Sequence, residues 1–171
     1  MQASPAVIVL LGPPGSGKST IGARLAELGF RWTDRERDLV ERWGSREAFL
    51  SSKTEALPAL HEGLRAAIGP GRPPLVIEST GISEREFIDD IQRLFPAFLV
   101  RLDVARETAA LRVRSREPGR HLNTVPARDD AVWRAFEELV KPRPVDLVID
   151  TGAVDPAAAA RAIAAALARF E

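Results

Sequence analysis

Apolar and polar positions alternate along this chain in two different periods. Continuous apolar runs occur at Val7-Ile8-Val9-Leu10-Leu11, near 74–78, near 97–103 and near 145–150, with a shorter run near 30–33. Runs of this length, apolar at every position, read as strands buried on both faces, the pattern of a parallel sheet. Between them the period lengthens to that of a helix, near 18–28, 35–43, 46–68, 84–94, 105–116, 129–140 and 156–170. Ser83 and Glu86 fit a capping box ahead of Phe87, Ile91, Leu94 and Phe95, which are expected on one helix face. Strands alternating with helices predict an α/β fold of three layers, α/β/α, around a five-stranded parallel sheet.

The 171 residues suit one domain with a substantial core. Gly69-Pro70-Gly71-Arg72-Pro73-Pro74 reads as a loop inside that domain, and the charged stretch from about Ser115 to Arg128 as a short Arg-rich lid. The formal net charge is zero, which argues against a partner held mainly through a nucleic-acid backbone. The absence of cysteine excludes disulfides, thiolate metal sites and cysteine nucleophiles. No leader and no membrane-spanning run is visible, so a cytoplasmic protein, monomeric or homodimeric, is expected.

The strongest chemical signal is Gly12-Pro13-Pro14-Gly15-Ser16-Gly17-Lys18-Ser19, followed by Thr20. It fits G-x-x-x-x-G-K-[ST], the phosphate-binding loop, and it lies between a predicted strand and a predicted helix, as that motif requires. Glycines let backbone N–H groups close around phosphate oxygens, and the helix N-terminus adds positive potential. Lys18 is placed to reach the β- and γ-phosphates of ATP, and the Ser19 hydroxyl to bind Mg²⁺. The fold expected is therefore that of P-loop nucleoside triphosphatases.

Ligands of such sheets sit at the carboxyl ends of the strands. Asp34 and Glu36 follow the second strand; Asp34 suits an acceptor base or a Mg²⁺ organiser, although Thr33 and Glu36 also fit a capping box. Glu78, Thr80 and Gly81 end the third strand, where a metal or an acceptor would be handled. Arg112, Arg114, Arg116, Arg120 and His121 form a basic cluster whose guanidinium forks match phosphate oxygens. Arg112 and Arg116 are spaced to share a helix face. His61 is given no role, and Trp32, Trp43 and Trp133 are expected to pack.

These residues together resemble small P-loop kinases of the nucleoside-monophosphate-kinase-like group. Asp34, Glu36 and Gly44 match the Asp-x-Asp and later glycine of shikimate kinases. Arg120-His121-Leu122 is similar to their lid, and Arg112 or Arg114 with Pro156 to the pair that sandwiches adenine. Their substrate loop of three glycines is here Ser79-Thr80-Gly81, and the arginine of their Phe-Arg is absent from Phe49-Leu50. Ile77 to Arg85 also resembles the strand-end turn of 5′-hydroxyl polynucleotide kinases, with Ser79 in place of their aspartate.

The resemblance implies an ATP- and Mg²⁺-dependent phosphotransferase acting on a hydroxyl of a small molecule. Lys18, Asp34, Arg116 and Arg120 would carry catalysis. Residues 12–20, Arg112, Arg114 and Pro156 would hold the nucleotide. Asp34, Glu36, Glu78, Thr80 and Gly81 would face the acceptor, and Ser19, Asp34 and Glu78 the metal. A 5′-hydroxyl nucleic-acid or nucleoside kinase, and a nucleotide-dependent switch, are the alternatives.

Overall fold

A computed structural model describes residues 4–34, 38, 41–44, 48, 51–69, 71–116 and 126–169, with residues 53 and 126–129 described by backbone alone. The elements in order are β1 (Val7–Leu11), α1 (Lys18–Glu27), β2 (Arg31–Trp32), α2 (Lys53–Ala67), β3 (Leu75–Ser79), α3 (Arg85–Leu94), β4 (Ala97–Asp103), α4 (Arg106–Arg114), α5 (Pro126–Ala135), a π turn (Phe136–Val140), β5 (Leu147–Asp150) and α6 (Pro156–Leu167). All five strands are parallel, in the order β2-β3-β1-β4-β5. β1 is central, so the phosphate-binding loop leaves the middle of the sheet with the end of β3 on one side and β4 on the other.

The period-2 geometry of strands divides the core in two. Ile8 and Leu10 face the layer built by Ile21 and Leu25 of α1 and Ala160 and Ile163 of α6. Val7, Val9 and Leu11 face the opposite layer, with Phe87, Ile88 and Ile91 of α3 and Phe136 and Val140 of the π turn. Every side chain of β1 is buried, as its uninterrupted apolar run requires.

Four local expectations are corrected. The capping box at Ser83 does not form: α3 starts at Arg85, so Glu84 and not Ser83 holds the N-cap position, and the Glu84 carboxylate, bonded to Ser79 and His61, makes no capping hydrogen bond. Leu94 does not join the buried stripe and stands 50% exposed, since Ile88 with Phe87 and Ile91 fills that face. Arg116 lies beyond the end of α4 and so does not continue the helical face of Arg112. The predicted helix near 129–140 is an α-helix up to Ala135 followed by a π turn.

Candidate active site

The loop of residues 12–17 closes tightly against its surroundings. Gly15 has φ +81°, and a Cβ there would lie 2.4 Å from the Ala109 carbonyl oxygen of α4. Only glycine meets both conditions, a left-handed backbone and no room for a side chain. Ser16 Oγ is buried against Gly12 and has no hydrogen-bond partner among the described residues. Lys18 Nζ donates to the carbonyls of Gly12 (2.7 Å) and Pro13 (3.0 Å), so the ammonium is held over the loop it would share with a phosphate.

Glu78 ends β3 beside this loop. Its Oε2 accepts from Ser19 Oγ at 2.8 Å, and its Oε1 accepts from Trp32 Nε1 at 2.6 Å. The indole is fixed in turn by α1: a Cβ on Gly22 would lie 2.2 Å from Trp32 Nε1. Burial is the main influence on Glu78 and pushes its carboxyl above the usual carboxylate range. The hydrogen bonds from Ser19 and Trp32 and the charge of Lys18 oppose this, while the charge of half-buried Asp34 reinforces it.

The other strand-end carboxylates are engaged elsewhere. Asp103 of β4 accepts from Arg101 at 2.8 and 3.2 Å, and Asp150 of β5 accepts from the Gly152 N–H. Among the described residues, Glu78 is thus the carboxylate hydrogen-bonded to the P-loop hydroxyl. A hydroxyl and a carboxylate side by side are hard oxygen donors that suit Mg²⁺, an ion bound through one or two carboxylates plus phosphate oxygens. No group of three His, Cys, Asp or Glu side chains able to hold a metal is present among the described residues.

Arg112 forms the opposite wall. Its guanidinium donates to the Gly15 carbonyl (3.3 Å), to Thr151 Oγ1 (3.3 Å) and to the Thr151 carbonyl (2.8 Å). Thr151 Oγ1 donates to the Asp103 carbonyl at 3.2 Å. Pro156 opens α6 a few residues later, behind Asp155, whose carboxylate caps the Ala158 N–H. Arg112 thus ties the P-loop to the Thr151 segment that precedes α6. Arg114 instead lines a cleft with Pro14, Val113 and Trp133, beside the ion pair between Arg106 and Asp130. Glu36, Arg120 and His121 lie outside the described residues, as does most of the lid.

Two partners escape the sequence reading. Trp32 does more than pack, since it donates to Glu78. His61 is paired with Glu84 at 3.0 Å and stacked on Phe87 with centroids 3.9 Å apart. The signal for His61 was present: it shares the i, i+3, i+4, i+7 stripe of Leu57, Leu60 and Leu64, which marks a buried face.

A family profile described as AAA domain matches residues 8–134. The chain belongs to the AAA domain family. That span holds the P-loop, Asp34, the β3 turn and both arginine-bearing segments. No curated protein sequence matches the chain. Among solved structures, a gluconokinase from Sinorhizobium meliloti 1021 is 23% identical, with TM-score 0.62, over 99% of this chain and 95% of its own. A shikimate kinase from Acinetobacter baumannii, in complex with shikimate, is 19% identical with TM-score 0.67 over 99% and 96%. A deoxyadenosine kinase from M. mycoides with bound dATP is 17% identical with TM-score 0.61 over 98% and 100%. This AAA-domain chain thus has the P-loop α/β fold that those kinases share. No helix among the described residues is long and apolar enough to cross a membrane.

Proposed function

We propose that the protein is a cytoplasmic kinase that transfers the γ-phosphoryl group of ATP to a hydroxyl of a small-molecule acceptor. The observation that carries this reading is the Ser19–Glu78 contact beside Lys18, at the end of β3 where open α/β sheets receive ligands. The likeness to three small-molecule kinases over nearly the whole chain supports it.

The loop amides and Lys18 would hold the phosphates, with Arg112 and Pro156 on the side of the base. Ser19 and Glu78, together with phosphate oxygens, would hold Mg²⁺, which would supply positive charge against the negative charge that builds on the departing ADP. The acceptor oxygen attacks the γ-phosphorus, the bond to the bridging oxygen of ADP breaks, and the acceptor proton passes to Asp34. Thr80 and Gly81 would face the acceptor. Arg116 is available to the migrating group from the lid side.

The test is ADP release with MgATP against gluconate, shikimate, nucleosides, nucleoside monophosphates, 5′-hydroxyl oligonucleotides and hydroxylated antibiotics. Lys18→Ala serves as blank. Acceptor-dependent release is expected for one class, together with loss of most turnover in Asp34→Asn. ATP hydrolysis that no acceptor stimulates would sink the kinase reading in favour of a nucleotide-dependent switch.

A further inference from the structure

We propose that Ser79, Glu84 and His61 are positioning residues that brace the acceptor-facing turn, so that acceptor affinity depends on residues outside the phosphate site. This rests on the kinase reading above. Ser79 is the last residue of β3 and is 4% exposed. Its Oγ donates to Glu84 Oε2 at 2.7 Å and accepts from the Gly81 N–H at 2.9 Å. Glu84 Oε1 meets His61 Nε2 at 3.0 Å, and the imidazole lies flat on Phe87 at an interplanar angle of 8°. One hydrogen-bonded line thus runs from α2, through the start of α3, into the turn that follows Glu78.

The arrangement is not a nucleophilic triad. The order is Ser79–Glu84–His61: the imidazole meets the carboxylate and not the serine hydroxyl, so the histidine base of a triad is not in place. Nor does such a line serve well as a mere staple between helices. A carboxylate 8% exposed costs desolvation that apolar side chains of similar volume would avoid. What a satisfied buried network does supply is a single geometry.

That geometry fixes Thr80 and Gly81 next to Glu78. Gly81 has φ +77°, and a Cβ there would lie 3.1 Å from both methyl groups of Val140 in the π turn. The turn is therefore held by hydrogen bonds on one side and by Val140 on another. Because Ser79 is buried and its one O–H is given to Glu84, contact with an acceptor falls to Thr80 and to the backbone of the turn. Glu84 and His61 act through them.

The experiment compares Ser79→Ala, Glu84→Ala, His61→Ala and Glu84→Gln with wild type, using the panel acceptor of highest turnover among gluconate, shikimate and deoxyadenosine. The alanine variants are expected to raise the acceptor KM about tenfold or more, as misplacement of a bound reactant does, while the KM for MgATP stays within about twofold. Glu84→Gln is expected to restore most of the loss. Its carbonyl oxygen can accept from Ser79, and its amide can donate to the imidazole in the other tautomer. Equal shifts in both KM values, or no rescue by glutamine, would overturn the proposal.

Hydrogen exchange supplies a readout that needs no acceptor. Faster exchange across residues 79–83 in Glu84→Ala, with residues 12–20 unchanged, upholds the brace; equal exchange at 79–83 overturns it. If wild type transfers phosphate to none of the three acceptors, the kinase reading is judged separately on the full acceptor panel above, and the exchange result decides the brace.

Discussion

Ser19 and Glu78 stand 59 positions apart in the chain and 2.8 Å apart in space, the hydroxyl donating to the carboxylate. The contact exists because β1 and β3 are neighbours in parallel register, with Leu11 opposite Ser79. Each strand then delivers its next functional group to the same end of the sheet. The P-loop supplies the hydroxyl at the first turn of α1, and β3 supplies the acid one residue before its end.

Glu78→Gln separates the charge of this residue from its shape. The amide oxygen can accept from Trp32, and the amide nitrogen can donate to Ser19 Oγ, so the geometry is kept. Burial holds the carboxyl above its ordinary value of 4.5, so the folded state keeps the proton to higher pH than the unfolded chain does. This contribution to stability is fully present below the ordinary carboxylate range and is lost as pH rises through the folded value. The melting temperature of Glu78→Gln should match wild type near pH 4 and exceed it increasingly toward pH 8, in melts without nucleotide at about those limits. A difference that shrinks with rising pH would contradict the assignment.

Trp32→Phe tests whether the indole orients Glu78. Phenylalanine keeps the ring against Gly22 but removes the donor at 2.6 Å. Loss of a hydrogen bond to a carboxylate at a partly buried site should cost about 1–3 kcal/mol in urea unfolding. The Mg²⁺ concentration for half-maximal nucleotide binding should rise about tenfold, as when a metal ligand loses its orienting partner. Unchanged Mg²⁺ dependence would leave Trp32 a packing residue only.

Much of this architecture was legible because it is local. The apolar run at Val7–Leu11 and the glycine pattern after it specify a buried strand and a phosphate loop within one short segment, and both are where expected. The pairing of Ser19 with Glu78 was foreseeable only as a shared role, from the rule that strand ends receive ligands. Trp32 was expected only to pack, and Glu84 and His61 were given no role, for one reason. Each acts through a hydrogen bond to a residue on another element, and a single sequence contains no distances between elements. The cap expected at Ser83 missed by one residue, since α3 starts at Arg85 with Glu84 at its N-cap and Glu84 is held by Ser79 and His61 on other elements.

The two positive-φ glycines of the loop should respond differently to alanine. Both have left-handed backbones, Gly15 at +81° and Gly17 at +87°. At Gly17 an added Cβ meets nothing within 4 Å, so Gly17→Ala should cost only the left-handed penalty of about 1–2 kcal/mol. At Gly15 the same Cβ meets the backbone of Ala109 at 2.4 Å, so α4 must shift as well. Gly15→Ala should therefore be among the severe destabilisers, about 4 kcal/mol or more, or fail to fold at all. Urea melts of the pair would show whether α4 is as tightly seated on the loop as these distances require.

Arg112→Lys asks whether the wall opposite Glu78 needs a fork or only a charge. The guanidinium spans the Gly15 carbonyl and both oxygens of Thr151, tying the P-loop to the segment that precedes α6. A lysine ammonium is a point donor that cannot hold both partners in one plane. It would keep the positive charge but release either the loop or the Thr151 turn. The expected result is a nucleotide affinity weaker by about tenfold, read with a fluorescent ATP analogue, since the planar cation both spaces the loop and offers a flat face to a base. Phosphate-only probes separate the two contributions. If tripolyphosphate binding is nearly unchanged while ATP binding weakens, Arg112 contributes mainly on the side of the base. If both weaken together, its main contribution is to the shape of the phosphate loop.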